Sequence, residues 1–390
     1  MDRSTFVLGG IAVTAVAALL FAGPLTPPVG PVASTYKTLQ EVEPRIAINA
    51  VNTPASVNGT FSIFQPGSYY LTGNITGEIG KHGILIGSND VTIDLNGFTM
   101  TGVPGAFSGV GHSVQSYRNV TVRNGTLIGW ANGIAITGAG NRVEAVRTSE
   151  SVAVGIFLST NGVIESCTAT DNGTNGISVS NGCVVRGCTS YLNDSAGIAS
   201  SGSATITECS AYSNAIGFNI GLGSTVIGCS ARDNTADGFV VSSASVVSNC
   251  SAYSNGIDGI RAASTSVTIS GCTASFNVGD GIEVPGNCHI INNICDGNGV
   301  GGTGMGIKAT GTDSRIEGNS LMRNDIGLDV QLSGNFIVRN TAAGNGTFNY
   351  QIIANNKVGT IVSAPNSLAI NGSTGGAGVG STDPWANFSY

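Results

Sequence analysis

Between Cys167 and Asn277 the chain repeats one phrase six times, Cys-[Ser/Thr]-[Ala/Ser]-x-x-Asn, each copy followed within a few residues by Gly-[Ile/Phe]. The cysteines stand at 167, 188, 209, 229, 250 and 272, in steps of 21, 21, 20, 21 and 22 residues. The glycines Gly176, Gly197, Gly217, Gly238, Gly259 and Gly281 keep the same beat. A fixed period of this length marks a stacked repeat, in which each unit buries its apolar side only against its neighbours.

Within a period the apolar residues alternate. After Gly259, Ile260 and Ala262 share one side and Arg261 takes the other; Val267 and Ile269 share a side and Thr268 opposes them. Period two means strand, and no part of the repeat holds a helical i, i+3, i+4 stripe. Three short strands and three turns per period make the coil of a parallel β-helix. The expected fold class is therefore all-β, a solenoid of about 11–12 coils with terminal caps, stacked roughly 4.8 Å apart.

Stacking turns the sequence into columns. The cysteine column extends by register to Gly125 and Val146 before it and to Ile294, Asn319 and Asn340 after it. An apolar residue stands three positions ahead of each member, among them Ile164, Val185, Ile206, Val247, Ile269 and Ile291, which predicts a narrow interior filled by small and branched side chains. The asparagine column continues as Asn324 and Asn345; stacked amides bond from coil to coil and satisfy turn backbone. The six column cysteines are expected as buried free thiols, since in-register neighbours point side by side and do not reach disulfide geometry. Cys183, Cys288 and Cys295 lie off that column and are the ones expected to pair or react.

The apolar run Phe6–Phe21 is too short to span a bilayer as a helix, and prolines and Val32-Ala33-Ser34 follow it. Residues 1–34 read as a secretory signal, which makes the protein secreted or cell-surface (extracellular or periplasmic) with no stable membrane span afterwards. Residues 35–82 read as an N-terminal cap with a short helix over 37–43 and a first strand at Gly67–Thr72; 83–346 as the β-helix; 347–390 as a C-terminal cap and tail in which the aromatic terminus closes the solenoid. Insertions near 103–116 and at Gly297–Gly304 lengthen two coils.

Only 10% of residues are charged, the net charge is −7, and no Lys/Arg cluster occurs. That excludes nucleic acid and anionic membranes as partners. It leaves a flat surface of Ser, Thr, Asn and Gly, suited to the hydroxyls of a polysaccharide or a cell-envelope glycan.

The segments GSYYLTGNITG, GILIGSNDVTIDLNGFTMTG and NVTVRNGTLIGW, with the Cys-Ser/Thr-Ala coils, resemble secreted bacterial right-handed parallel β-helix proteins of the pectin-lyase-like superfamily, over nearly the whole chain after residue 34. The final DPWANFSY is similar to tails in that group. The resemblance implies a right-handed winding. Members include pectate lyases, polygalacturonases, alginate epimerases and proteins without known activity, so the resemblance implies architecture rather than a reaction. Polygalacturonase signatures are mostly absent: Asn234-Thr235-Ala236-Asp237 is only a near miss, no Asp-Asp doublet occurs and Arg-Ile-Lys is missing. His82 precedes a glycine but lies near the N-terminal coils, far from Asp237; His112 sits in the inserted loop and His289 in a strand, and each reads as incidental.

One constellation carries chemistry. The residue before the repeat glycine is Asp237, Asp258 and Asp280 in three consecutive coils, and three residues on the outward column reads Arg261, Glu283, Lys308, Asp329. The bland interpretation is Asp-Gly turn chemistry beside a surface ion-pair ladder. The sharper one has Asp237, Asp258 and Asp280 bind Ca²⁺ through hard oxygens. By the same resemblance, Arg261 or Lys308 would then serve as the catalytic base that takes the proton α to a uronate carboxylate, Lys308 being chemically the easier. The expected function is a structural or carbohydrate-binding module without catalysis. The alternative is a polysaccharide lyase, epimerase or glycosidase working along the β-helix flank.

Overall fold

A computed structural model describes residues 43–112, 115–363 and 383–390. The chain divides into Met1–Pro44 and Arg45–Tyr390, and nearly all described residues belong to the second unit. The expected signal segment and the helix over 37–43, apart from Glu43, lie outside the described residues. Among the described residues there is no helix, and so none long and apolar enough to cross a membrane.

Every strand pairing is parallel. Each regular coil contributes two strands to one wall and one to the other, as in Val163–Glu165, Thr168–Thr170 and Ile177–Val179. The single strands form a continuous flank of 14, from Gly59–Ile63 to Phe348–Ile352. The winding makes about 15 turns, more than the 11–12 expected from the repeat. The undercount has a plain cause: the outer coils lack the cysteine and Gly-Ile beat yet pair in the same register. Ile46 pairs with Tyr69, Gly59 with His82, Ile326 with Phe348 and Phe336 with Lys357. The tail supplies a strand too, Asn387–Ser389, paired with Ile361–Ser363, while the Arg339 guanidinium lies 4.1 Å from the Trp385 ring centre.

The turns explain the polar columns. Three times per coil the backbone enters the left-handed region, for example at Gly182, Gly187 and Leu192. The next residue in each case, Cys183, Cys188 and Asn193, turns inward and is buried. Left-handed backbone costs an ordinary side chain about 1 kcal/mol, so the stacked bonds that follow it must compensate. They do. The Asn234 amide donates to Asn255 Oδ1 at 3.2 Å and the Asn255 amide to Asn277 Oδ1 at 3.0 Å. The cysteine column does the same work with sulfur: the Cys188 amide donates to Cys209 Sγ at 3.5 Å, and the Cys209 thiol donates to the Thr207 carbonyl at 3.1 Å.

Here the register differs from the sequence expectation by one residue. The Cys272 amide donates to Asn293 Oδ1 at 2.9 Å, so Asn293, not Ile294, continues the column, and Ile290, not Ile291, faces inward. Ile294 is 44% exposed. The coil after Cys272 keeps its 21-residue step, and the glycine-rich insertion lengthens the next step, Asn293 to Asn319, to 26. The expectation for the off-column cysteines is also corrected, since all nine cysteines are free and buried. Cys183 and Cys288 belong to a third inward turn column, and Cys295 faces the interior between Ala274 and Leu321. The interior is otherwise aliphatic, with Trp130 fully buried and Phe218 stacked on Phe239 at 4.7 Å.

Candidate functional site on the single-strand flank

The residue before the glycine that leads into the single-strand flank forms a fourth column, and in several coils its side chain caps the next one. His82 Nδ1 accepts the Ser108 amide at 3.2 Å, Asn132 Oδ1 that of Val154 at 3.3 Å, and Asn175 Oδ1 that of Ala196 at 3.0 Å. The three aspartates continue it: Asp237 Oδ1 accepts the Asp258 amide at 3.1 Å, Asp258 Oδ1 the Asp280 amide at 2.8 Å, and Asp280 Oδ1 the Met305 amide at 2.8 Å. All three are buried. Turn capping is thus part of their role, but the second oxygens of Asp237 and Asp280 meet the outward column.

That column stands in register as Arg261, Glu283, Lys308, Asp329 and Gln351. Arg261 grips Asp237 Oδ2 through Nε at 2.8 Å and Nη2 at 2.7 Å. Lys308 Nζ lies 3.2 Å from Asp280 Oδ2 and 3.5 Å from Glu283 Oε1. Asp329, buried to 2% exposure, accepts amide hydrogens from Gln331 at 2.8 Å and Gln351 at 3.1 Å. Asp258 sits between the two ion pairs and, among the described residues, makes none of its own. Burial pushes its carboxyl up to about 7, helped by the charges of Asp280, Asp237 and Glu283 and opposed by the Asp280 amide. Burial also raises Asp280, against the pull of the Met305 amide and Lys308.

These placements sort the expected site residues. The three carboxyls whose oxygens come within 4.8 Å of one another are Asp258, Asp280 and Glu283. Such a hard-oxygen set fits Ca²⁺ better than a soft metal, and it leaves Asp237 with Arg261. Glu283 joins the set although the spacing rule picked only residues before a glycine. Burial weakens the hold of Lys308 on its proton, but Asp280 and Glu283 outweigh it and raise its basicity above the ordinary lysine value. A proton-abstracting lysine needs the opposite shift, and Arg261 has both Nε and Nη2 engaged on Asp237 Oδ2. Asn234, from the near-miss motif, is a buried rung of the asparagine column. Gln331 and Gln351 gave no signal in the sequence because the last coils lack the repeat beat. His82, Asn132 and Asn175 did leave one: each precedes a glycine at the same coil position.

Comparison with known proteins agrees with this architecture. The family described as "Right handed beta helix region" matches residues 61–222 and 193–321. Among solved structures, the A-module of the Azotobacter vinelandii mannuronan C-5 epimerase AlgE6 aligns with a TM-score of 0.55 and 17% identity, over 77% of this chain and 92% of that one. The A-module of the A. vinelandii enzyme AlgE4 gives 0.54 and 16%, over 75% and 91%. A search of curated proteins gives no match. The likeness to solved structures is one of fold, and the family match covers more than half of the sequence: the chain belongs to the right-handed β-helix family.

Proposed function

We propose that this protein is an exported polysaccharide-binding β-helix that lays a glycan along the single-strand flank between Asp237 and Gln351. The observation that carries the reading is the register of Arg261, Glu283, Lys308, Asp329 and Gln351 in consecutive coils, most of them oriented by a bond to a neighbour. Carboxylates, amides and cations held at a repeat of roughly 4.8 Å suit the hydroxyls of a chain running along the solenoid axis. The related folds named above belong to enzymes of mannuronan, which supports a polysaccharide as the ligand class. The strip holds more carboxyls than cations, so it favours a neutral glycan, or an acidic one bridged by Ca²⁺ at Asp258, Asp280 and Glu283. The apolar run Phe6–Phe21, read as a secretory signal, supports export.

One observation favours a catalytic reading beside this one. Asp258, raised to about 7, stands next to two further carboxyls, and divergent protonation of close carboxyls is what a glycosidase needs. An array of neutral and acidic polysaccharides, scored for binding with and without Ca²⁺ and for cleavage, tests both. Binding without new reducing ends or unsaturated products is the expected result. Turnover would replace the binding reading by the catalytic one, and no binding to any glycan would remove both. Calorimetry with Ca²⁺ on the wild type and on Asp258→Asn/Asp280→Asn tests the ion. Absence of binding at millimolar Ca²⁺ would eliminate it.

A further inference from the structure

Two histidines near the insertion at 103–116 use a ring nitrogen to accept a backbone amide of the next coil. His82 stands in the capping column, where Asn132 and Asn175 accept an amide through a side-chain oxygen; here the acceptor is the ring atom Nδ1, 3.2 Å from the Ser108 amide. His112 faces its neighbours in the column of Ile86. Its Nε2 takes the Thr137 amide at 3.0 Å and lies 2.8 Å from the Thr137 hydroxyl, which also touches Ser116 at 2.9 Å. An imidazole nitrogen accepts a hydrogen bond only while it is unprotonated. Both bonds therefore need neutral rings, with the proton of His82 on Nε2 and that of His112 on Nδ1. Among the described residues His112 Nδ1 is buried without a partner.

We propose that His82 and His112 form an acid-sensitive latch that ties the strand Ser108–His112 to its neighbouring coils at neutral pH and releases it when the rings are protonated. Protonation turns each acceptor nitrogen into a donor, so the Ser108 and Thr137 amides lose their acceptors, and the His112 Nε2 proton can turn only to the Thr137 hydroxyl. The titratable groups set against the rings reinforce this. The charge of His112 disfavours that of His82, Phe107 packs on His82 at 5.3 Å, and Tyr117 meets His112 edge-on at 6.4 Å. Lys81, next to His82 in the chain, has its ammonium on Glu78 at 2.8 Å. No carboxylate contact is recorded for either ring among the described residues. Burial, with His112 for His82, holds both rings below the ordinary histidine value. A depressed folded-state value places the latch's contribution above about pH 6.5, with loss as pH falls through the folded values.

Hydrogen exchange of the full-length protein at pH 7.5 and pH 5, corrected for intrinsic rates, tests the latch. Protection of peptides covering 106–112 and 132–138 should fall by about tenfold per pH unit and per ring across the window below pH 6.5. Peptides covering 177–186 should not change. The double variant His82→Asn/His112→Asn, which puts at 82 the neutral side chain used elsewhere in the capping column and removes the second ring, should abolish the difference. Equal protection of the wild type at both pH values, or the same loss in the double variant, would overturn the proposal. If the double variant does not fold, the imidazole titrations of the wild type decide: both rings titrating below 6.5 upholds the latch, and either at or above 6.5 refutes it.

Discussion

The asparagine column makes a quantitative prediction, and Asn255 is the place to test it. Its side chain is fully buried and makes four bonds. Oδ1 accepts the Asn234 amide at 3.2 Å and Asn234 Nδ2 at 2.9 Å; Nδ2 donates to the Ala231 carbonyl at 3.3 Å and to Asn277 Oδ1 at 2.9 Å. Asn255→Ala removes all four, but not all the partners are stranded. Asn234 Nδ2 keeps the Ala211 carbonyl and Asn277 Oδ1 keeps the Asn255 amide. The Asn234 N–H is left buried without its acceptor, at about 1–3 kcal/mol, and the other lost bonds add about 1 kcal/mol. The expected loss is about 2–4 kcal/mol. Urea unfolding followed by far-ultraviolet circular dichroism measures it, with a lower slope wherever the lesion uncouples the coils on either side. Asn219→Ala, on the exposed side of a strand, should stay within about 0.5 kcal/mol. A loss below about 1 kcal/mol at Asn255, or an equal loss at Asn219, would refute the account of the ladder.

Two further outcomes follow from buried groups. Asp258, raised to about 7 in the fold against about 3.9 unfolded, keeps its proton on folding between those values. Its contribution is therefore full below pH 4 and is lost as pH rises through 7. Asp258→Asn should leave stability near pH 4 unchanged and raise it by about 1–2 kcal/mol at pH 8, measured by paired denaturation curves; equal stability at both pH values would contradict the assignment. The nine buried thiols should resist a thiol reagent in the native protein and all react once it is denatured. Mass spectrometry that finds consecutive members of the cysteine column disulfide-linked would overturn the column.

The architecture was legible because a solenoid writes its structure into a period. Cys167 to Cys272 fixed coil length and inward face, and Asn172 to Asn277 fixed the amide ladder. What the sequence hid has physical causes. The left-handed turn positions accept Gly, Asp and Ser but also Leu192 and Phe276, so no residue type flags them. The slip from Asn293 to Ile294 arose where cysteine gives way to asparagine. Both accept the neighbouring coil's amide, so the column keeps its function while changing its letter. The site was half legible. Spacing found Asp237, Asp258 and Asp280, but only side-chain reach shows that Arg261 turns back to Asp237 and that Glu283 leans toward Asp280 and Lys308.

Asp258 remains the residue that the fold explains least. An asparagine caps the next coil as well as an aspartate does, as Asn132 and Asn175 show, and it brings no charge. Asp237 and Asp280 use the second oxygen to hold Arg261 and Lys308. Asp258 is buried with the same capping bond but, among the described residues, has no ion pair, and its neighbours are carboxyls. Folding alone would favour asparagine there. Residues that break a local rule without a structural return are where function is expected to reside, so Asp258→Asn separates the two explanations. A variant that is more stable at pH 8 and no longer binds glycan places the ligand at Asp258. One that is more stable and binds unchanged returns the whole column to the fold and moves the search to Lys308 and Asp329.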